Sequence, residues 1–355
     1  MARPELETEF TSMSREATTA QLAAEILGVG ATTVLDVGAR WGAGGVWWRL
    51  DPLAKLIGFD PDPDECARLN AQLPAGSRER FVPVALGKEP GPATLHITLN
   101  PGCSSIYPPD ETLADRFPGL SVIKVAQRET IQLETLDRWA ASEGVEEISF
   151  AKLDTQGCEL DILRGGERAL DKCLGLEVEV EFATIYRGAP LFAEVDTYLR
   201  SRGFALWRLG GLYHYSERCT GLATGEEFVD YSGLVSRSPS GNGRLWWGNA
   251  IYLRDFRDPW VIAGGARRLL ILASLLDARG DVDAAAATLQ LAMEDSRFPW
   301  TSAQLALVDA RRRELLSIPA PPVPEPPPAE PVAPPHRTLS GHHFRHAVKR
   351  LLGRD

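Results

Sequence analysis

The chain has 355 residues, 44% of them hydrophobic and 24% charged, a composition that can bury a full core. Its net charge of −10 argues against a surface-wide attraction for nucleic acid, so no nucleic-acid partner is expected. Five scattered cysteines without a C-x-x-C pair argue against a disulfide framework or a thiolate zinc site and fit reduced thiols. The longest apolar run, residues 269–276, falls short of the ~20 residues that a membrane helix needs. The start is Glu-rich (Glu5, Glu7, Glu9) and lacks a basic–apolar–small signal pattern, so a cytoplasmic location is expected.

Residues 1–20 are polar and read as loosely ordered, and a helix carrying Leu22, Ile26 and Leu27 follows. Apolar runs then alternate with helical patterns, the signature of βαβ units. Strands are expected at 34–37, 55–59, 81–86, 148–153 and 176–182, with an edge strand at 94–99 and a final antiparallel pair at 204–209 and 250–253. Helical spacing covers 64–73, 136–141, 159–163 and 192–202, and 131–133 leads into the second of these. These elements predict an α/β fold, a doubly wound Rossmann-like sheet of seven mostly parallel strands, over residues 21–255. Residues 256–318 read as a C-terminal α-helical appendage that packs on that domain. Ten prolines among residues 319–335 make a stiff linker, and residues 336–355 form a basic tail holding four of the six histidines.

The most informative stretch is Thr33-Val-Leu-Asp-Val-Gly-Ala-Arg-Trp-Gly-Ala-Gly-Gly45. A buried strand runs into Asp36-x-Gly38-x-x-x-Gly42, and a helix is expected to begin near Gly45. Glycines allow a sharp turn and a close ligand, while helix N–H groups point into the same crevice. The dinucleotide fingerprint demands Gly at position 40, where Arg stands, and no Gly-Lys-Ser/Thr follows to make a P-loop. An acid at the strand end suits a cationic ligand such as the amino and sulfonium groups of S-adenosylmethionine. Asp60, at the end of the second strand and 22 residues after Gly38, suits both ribose hydroxyls. Asp36, Gly38, Gly42 and Asp60, with Ala85 and Leu86 at the end of the third strand, are the expected cofactor contacts.

Four segments together resemble the FkbM family: Asp36-Val-Gly-Ala-Arg-Trp-Gly, Phe59-Asp-Pro-Asp-Pro, Ile131-x-Leu-x-Thr-Leu-Asp137 and Lys152-Leu-Asp-Thr-Gln-Gly-Cys-Glu159. The resemblance continues through Glu179-Val-Glu-Phe-Ala-Thr-Ile-Tyr-Arg-Gly188 and covers roughly residues 30–255. It implies an S-adenosylmethionine-dependent O-methyltransferase with the class I methyltransferase fold. It also implies an acceptor among sugar, glycolipid or polyketide-type hydroxyls, and a glycan or glycolipid is the preferred expectation. Three positions depart from the family pattern: Arg40 for the usual Asn, Asp60-Pro-Asp62 for Glu-Pro-Asn, and Gln156 for Glu. Asp60 keeps the ribose role, whereas Gln156 removes an acid from the fourth motif.

Methyl transfer is an in-line displacement that rests on alignment, and a hydroxyl acceptor gains from a base. Asp154, ending the fourth core strand, and Glu179, on the fifth, are the candidate catalytic carboxylates. Glu181 shares a face with Glu179 by period-two alternation. With Ser104, Ser105 and Tyr186 it makes up the expected substrate contacts. A divalent metal bridging Asp154 and Glu179 stays open for want of a third ligand. Trp47, Trp48, Trp246 and Trp247 read as core or rim residues. In the tail Phe344, Ala347, Val348, Leu351 and Leu352 fall on one helical face among basic residues, which offers a peripheral membrane or protein contact. The rival functional reading is a non-catalytic module that keeps the fold and recruits partners through its helices and tail.

Overall fold

Alternate residues of the first strand enter two different cores, as a strand covered on both faces requires. The computed structural model describes residues 18–43, 47–215, 217 and 243–317. The chain runs through α1 (Thr19–Leu27), β1 (Thr32–Val37), a 3₁₀ turn at Trp47–Leu50, β2 (Ala54–Phe59), α2 (Pro63–Gln72), β3 (Glu79–Val82), β4 (Ala85–Leu86) and β5 (Gly91–Thr98). After a short turn at Pro101–Cys103 come α3 (Thr112–Arg116), β6 (Val125–Glu134), α4 (Leu136–Ser142), β7 (Ile148–Leu153), α5 (Glu159–Gly165), β8 (Gly175–Glu181) and α6 (Phe192–Ser201). The last part holds β9 (Ala205–Tyr215), β10 (Arg244–Leu253), α7 (Pro259–Ala263), α8 (Gly265–Ala278), α9 (Val282–Glu294) and α10 (Ser302–Ser317).

The seven-stranded sheet has the order β3-β2-β1-β7-β8-β10-β9. Only β10 runs against its neighbours β8 and β9; the other pairings are parallel. The order reverses between β1 and β7, so a crevice opens beyond the carboxyl ends of these two strands. On one face Val34, Leu56, Phe150 and Ile251 share a core with Ala23 of α1, with Leu269, Leu272 and Leu276 of α8, and with Leu289 of α9. On the other, Leu35, Ile57, Leu153 and Val178 pack against Leu136 of α4, Leu160 of α5 and Leu199 of α6. Each fully buried Leu or Ile there contributes roughly 1.5–3 kcal/mol. The first core joins strands to the C-terminal helices without a break, so no gap in packing marks residue 255.

Three local expectations change. The strand expected over 81–86 is split, because Pro83 offers no N–H to a ladder. Phe81 stays in β3, while Ala85 and Leu86 pair with Leu133 and Glu134 in a second sheet of order β4-β6-β5. The helix expected near Gly45 is, among the described residues, a single 3₁₀ turn; Pro52 drives the residue before it out of helical backbone. The closing strands β9 and β10 are longer than expected because their outer halves form an amphipathic ribbon rather than an apolar run. No described helix is long and apolar enough to cross a membrane. The N-terminal residues up to 17, the proline linker and the basic tail lie outside the described residues.

Candidate active site

One face of the sheet turns polar toward the carboxyl ends of its strands. In register across β1, β7 and β8 stand Asp36, Lys152 and Glu177, and Glu179 and Glu181 follow on the same face. Asp36 is 1% exposed, and Lys152 Nζ lies 3.6 Å from its Oδ1 and 3.0 Å from Asp154 Oδ2. Burial alone would lower the lysine pKa, but the charges of Asp154 and Asp36 raise it well above the ordinary value. Glu177 is bound from the far side by Arg279 at the end of α8, at 2.8 Å.

Beyond β1 the chain turns at Gly38, whose φ of 89° suits glycine, and a Cβ there would collide with the Asp154 carbonyl oxygen. Asp154 N–H donates to Val37 O (2.9 Å), and the N–H groups of Gly38 and Ala39 donate to Phe59 O (3.0 and 2.8 Å). The first-motif and fourth-motif loops are therefore in backbone contact. Gly42 closes the turn by donating to Ala39 O (3.0 Å).

Asp60 is 4% exposed; its Oδ1 accepts from Asp62 N–H (2.8 Å) and lies 3.5 Å from Arg40 Nη1. Arg40 Nη2 reaches Asp62 Oδ2 at 3.0 Å, and Asp62 caps α2 by accepting from Asp64 and Glu65. Burial raises the Asp60 pKa against the opposing pull of the Asp62 N–H and Arg40. Asp60 N–H donates to Val82 O (3.4 Å), so the segment leading to Ala85 starts beside it. Ala85 is half-buried, and Leu86 places its side chain in the core rather than toward a ligand.

The fourth-motif loop holds the second half of the site. Gln156, in the left-handed region at φ 59°, donates through Nε2 to Asp154 Oδ1 (3.1 Å) and Glu179 Oε2 (2.6 Å). Its Oε1 accepts from the Tyr186 hydroxyl (2.8 Å) and its backbone carbonyl from Ser105 Oγ (2.7 Å). An amide thus stands where a fourth acid would crowd two carboxylates. Glu159 folds back over the loop, accepting from Thr155 N–H (2.6 Å) and Gly157 N–H (3.0 Å). Glu181 Oε2 accepts from Ile185 N–H (3.0 Å), and its Oε1 has no hydrogen-bond partner.

These acids differ in proton affinity. Burial pushes up the Asp154 pKa, but Lys152, Glu179 and Gln156 together bring it below the ordinary value. Burial, then the charges of Asp154 and Glu159, raise Glu179 well above its ordinary value, and it is hydrogen bonded to Asp154. Burial also pushes Glu159 up to about 7 and Glu181 to about 8. These surroundings favour the ionised form of Asp154 and the protonated form of Glu179. The Asp154 side chain is 33% exposed, while Glu179 and Glu181 are 8% and 6% exposed.

Ser105 and Tyr186, expected to touch substrate, are turned inward instead. Ser105 is 1% exposed and supports Gln156, and Tyr186 is 2% exposed and donates to Cys103 O as well as to Gln156. Ser104 is half-buried and accepts from Thr98 N–H (3.3 Å). Lys152, Gln156 and Glu159 were not among the expected site residues; all three lie within the quoted fourth motif with Asp154, but strand register, which a single sequence does not carry, brings Lys152 to Asp36. No three His, Cys, Asp or Glu of the described residues are grouped to hold a metal ion, and the Gln156 amide sits between Asp154 and Glu179. A cavity of about 280 Å³ opens near the other end of the strands, lined by Asp51, Ser77 and Arg78 among others, and shares no residue with this site.

The carboxylates of Asp36 and Asp60 stand at the ends of neighbouring parallel strands, with Asp36 opposite Gly58. Strand geometry separates their Cα atoms by about 8 Å, a span that a nucleoside and its 5′ substituent can bridge. An acid for a cationic amino acid group and an acid for vicinal hydroxyls, joined by a glycine turn, fit S-adenosylmethionine. The FkbM methyltransferase domain family matches residues 36–206. The 2-O-methyltransferase NoeI of Sinorhizobium fredii (strain NBRC 101917 / NGR234) is 30% identical over 178 residues, covering 46% of this chain and 69% of that protein. The chain belongs to the FkbM methyltransferase family. Among solved structures, magnesium protoporphyrin IX methyltransferase from Synechocystis PCC 6803 is 12% identical at a TM-score of 0.28, over 66% of this chain and 76% of that one. An uncharacterized Listeria monocytogenes serotype 4b protein is 9% identical at a TM-score of 0.30, over 86% of this chain and 100% of that one. Overlap this small leaves the fold to be argued from the strand order alone.

Proposed function

We propose that the protein is an S-adenosylmethionine-dependent O-methyltransferase acting on a hydroxyl of a sugar, glycolipid or polyketide-type molecule, with a glycan preferred. When bound, the cofactor would supply an electrophilic methyl group, the C–S bond breaking as the C–O bond forms so that S-adenosylhomocysteine leaves. Asp36 and Asp60 would hold its amino acid and ribose ends beside the turn at Gly38. Asp154 accepts the hydrogen bond of the attacking hydroxyl and takes its proton as the new C–O bond forms. Lys152 keeps that carboxylate charged and oriented. Protonated Glu179 donates to Asp154 and leaves a single charged acid at the reacting end.

The observation that carries this reading is the partly exposed Asp154 carboxylate, paired with Lys152 and touching the turn at Gly38 through its own backbone. The name of the relative, a 2-O-methyltransferase, supports oxygen as the accepting atom. The test is a radiolabelled methyl-transfer screen against sugars, glycolipids and polyketides, with and without Mg²⁺. Asp154→Ala should cut transfer by about 10²–10⁴-fold, the range for general-base loss, while S-adenosylhomocysteine still binds. Asp36→Ala should lose both. Undiminished transfer in Asp154→Ala sinks the role given to it, and failure of the wild type to bind S-adenosylhomocysteine sinks the whole reading.

A further inference from the structure

We propose that Trp41 is an acceptor-binding residue whose indole forms the wall against which the apolar face of a pyranose ring stacks. This rests on the methyltransferase reading above. Arg40 and Trp41 are consecutive, yet their side chains leave the cofactor turn toward different neighbours. Arg40 reaches Asp60 and Asp62, on the side assigned to the nucleoside. Trp41 reaches the turn at Pro101–Cys103: a Cβ on Gly102 would stand 2.6 Å from Trp41 Cη2 and 2.9 Å from Cζ3. In that turn the Cys103 carbonyl accepts from Tyr186, and two residues on Ser105 holds the Gln156 backbone beside Asp154. The indole therefore spans from the cofactor turn to the loop that supports the base.

Two observations separate this ring from a packing residue. It is 52% exposed, unlike the buried or half-buried rings of Trp139, Trp246 and Trp247. Trp41 also sits at φ 70°, in the left-handed region that a bulky residue rarely occupies, with its backbone N–H donated to Glu65 Oε1 at 2.9 Å. The backbone is thus held in an unfavourable conformation that leaves a large ring in solvent, and a glycine faces it where any side chain would collide. An indole gives a broad apolar face. The loop it touches at Gly102 carries the Ser104 and Ser105 hydroxyls, and Ser105 donates to the Gln156 backbone carbonyl, whose side-chain amide reaches Asp154. One apolar wall within a polar rim matches a ring with a C–H face and a hydroxylated edge better than a wholly apolar macrocycle.

The experiment is saturation-transfer NMR on S-adenosylhomocysteine-saturated protein with a panel of methyl hexopyranosides and methyl deoxyhexopyranosides, and a macrolide aglycone as the contrasting probe. Wild type, Trp41→Ala, Trp41→Phe and Gly102→Ala are compared, with S-adenosylhomocysteine affinity measured by calorimetry on each. At least one pyranoside should bind wild type through its C–H protons, weaken about 5-fold or more in Trp41→Ala and be largely restored in Trp41→Phe. Gly102→Ala, whose Cβ would stand 2.6 Å from the ring and is outside the cofactor turn, should weaken it too, and S-adenosylhomocysteine should bind all four proteins within about 3-fold. Equal pyranoside binding by Trp41→Ala overturns the proposal. So does a parallel loss of S-adenosylhomocysteine binding in Trp41→Ala, which would give the ring to the cofactor. Binding of the aglycone alone also overturns it, with the methyltransferase reading left standing; no S-adenosylhomocysteine binding by wild type removes that reading as well.

Discussion

The two halves of the site set the same residue types beside different neighbours. On the cofactor side each acid has a cation beside it: Lys152 for Asp36, and Arg40 for Asp60 and Asp62. On the acceptor side Glu159, Glu179 and Glu181 are buried with no basic partner among the described residues, and burial drives all three toward the protonated form. Asp154 stands where the halves meet, sharing Lys152 with the first and Gln156 with the second. Fixed charge suits a site for a cationic cofactor, whereas neutral carboxyls beside one ionised acid suit a site that must receive a proton.

The contrast requires the halves to be joined, and Gly38 joins them. Gly38→Ala adds left-handed strain of ~1–3 kcal/mol and a backbone clash worth ~1–3 kcal/mol more, so the melting temperature should drop sharply and S-adenosylhomocysteine binding should vanish. Retained binding at an unchanged melting temperature would mean that the loops are not in contact.

A smaller effect isolates the cofactor half. Asp60→Ala removes charged hydrogen bonds of ~1.5–3 kcal/mol in all, so calorimetry should show about 10–100-fold weaker S-adenosylhomocysteine binding. Arg40 keeps Asp62, so thermal stability should change little. Unaltered affinity would take the ribose role away from Asp60.

An effect read only through pH belongs to the acceptor half. Glu181 releases its proton near pH 8 when folded and near its ordinary value of 4.5 when unfolded. Between those pH values the unfolded chain binds fewer protons, so this residue makes stability fall as pH rises, by up to ~1.4 kcal/mol per pH unit. Below pH 4.5 its effect is absent and above pH 8 the loss is complete. Thermal melts of Glu181→Gln should show a shallower decline across pH 5–8 than wild type. Parallel curves would place a charged Glu181 in the folded protein.

The central sheet was legible in the sequence because four of its expected strands carry short apolar runs, the pattern that burial on both faces writes into a chain, and a fifth, β8, alternates apolar residues with glutamates. Elements with one face in solvent were read short, as with β6, β9 and β10, whose alternation is diluted by exposed positions. Asp36, Asp60, Asp154 and Glu179 could be placed because each sits at a strand end or alternates along a strand. The supports could not. Ser105 and Tyr186 carry hydroxyls that look free on paper, and only the fold shows them spent on Gln156 and Cys103. Gln156 itself, legible as a missing acid, proved to be the amide that binds two remaining ones.

Helix α1 is held at its start by a capping box between Thr18 and Gln21. Its other ties come from the far end of the described chain. Thr19 N–H donates to Asp277 Oδ2 (3.0 Å), Arg311 donates to Thr19 Oγ1 (3.1 Å), and Arg311 also pairs with Asp277 at 2.9 Å. A chain leaving the ribosome from its N-terminus exposes the α1-facing side of the sheet until α8 and α10 have emerged. The first helix made waits for the last ones before its core can close. Synthesis arrested after β10 would therefore yield a nascent chain with every proposed site residue present and one whole face of its sheet bare, a natural client for a chaperone.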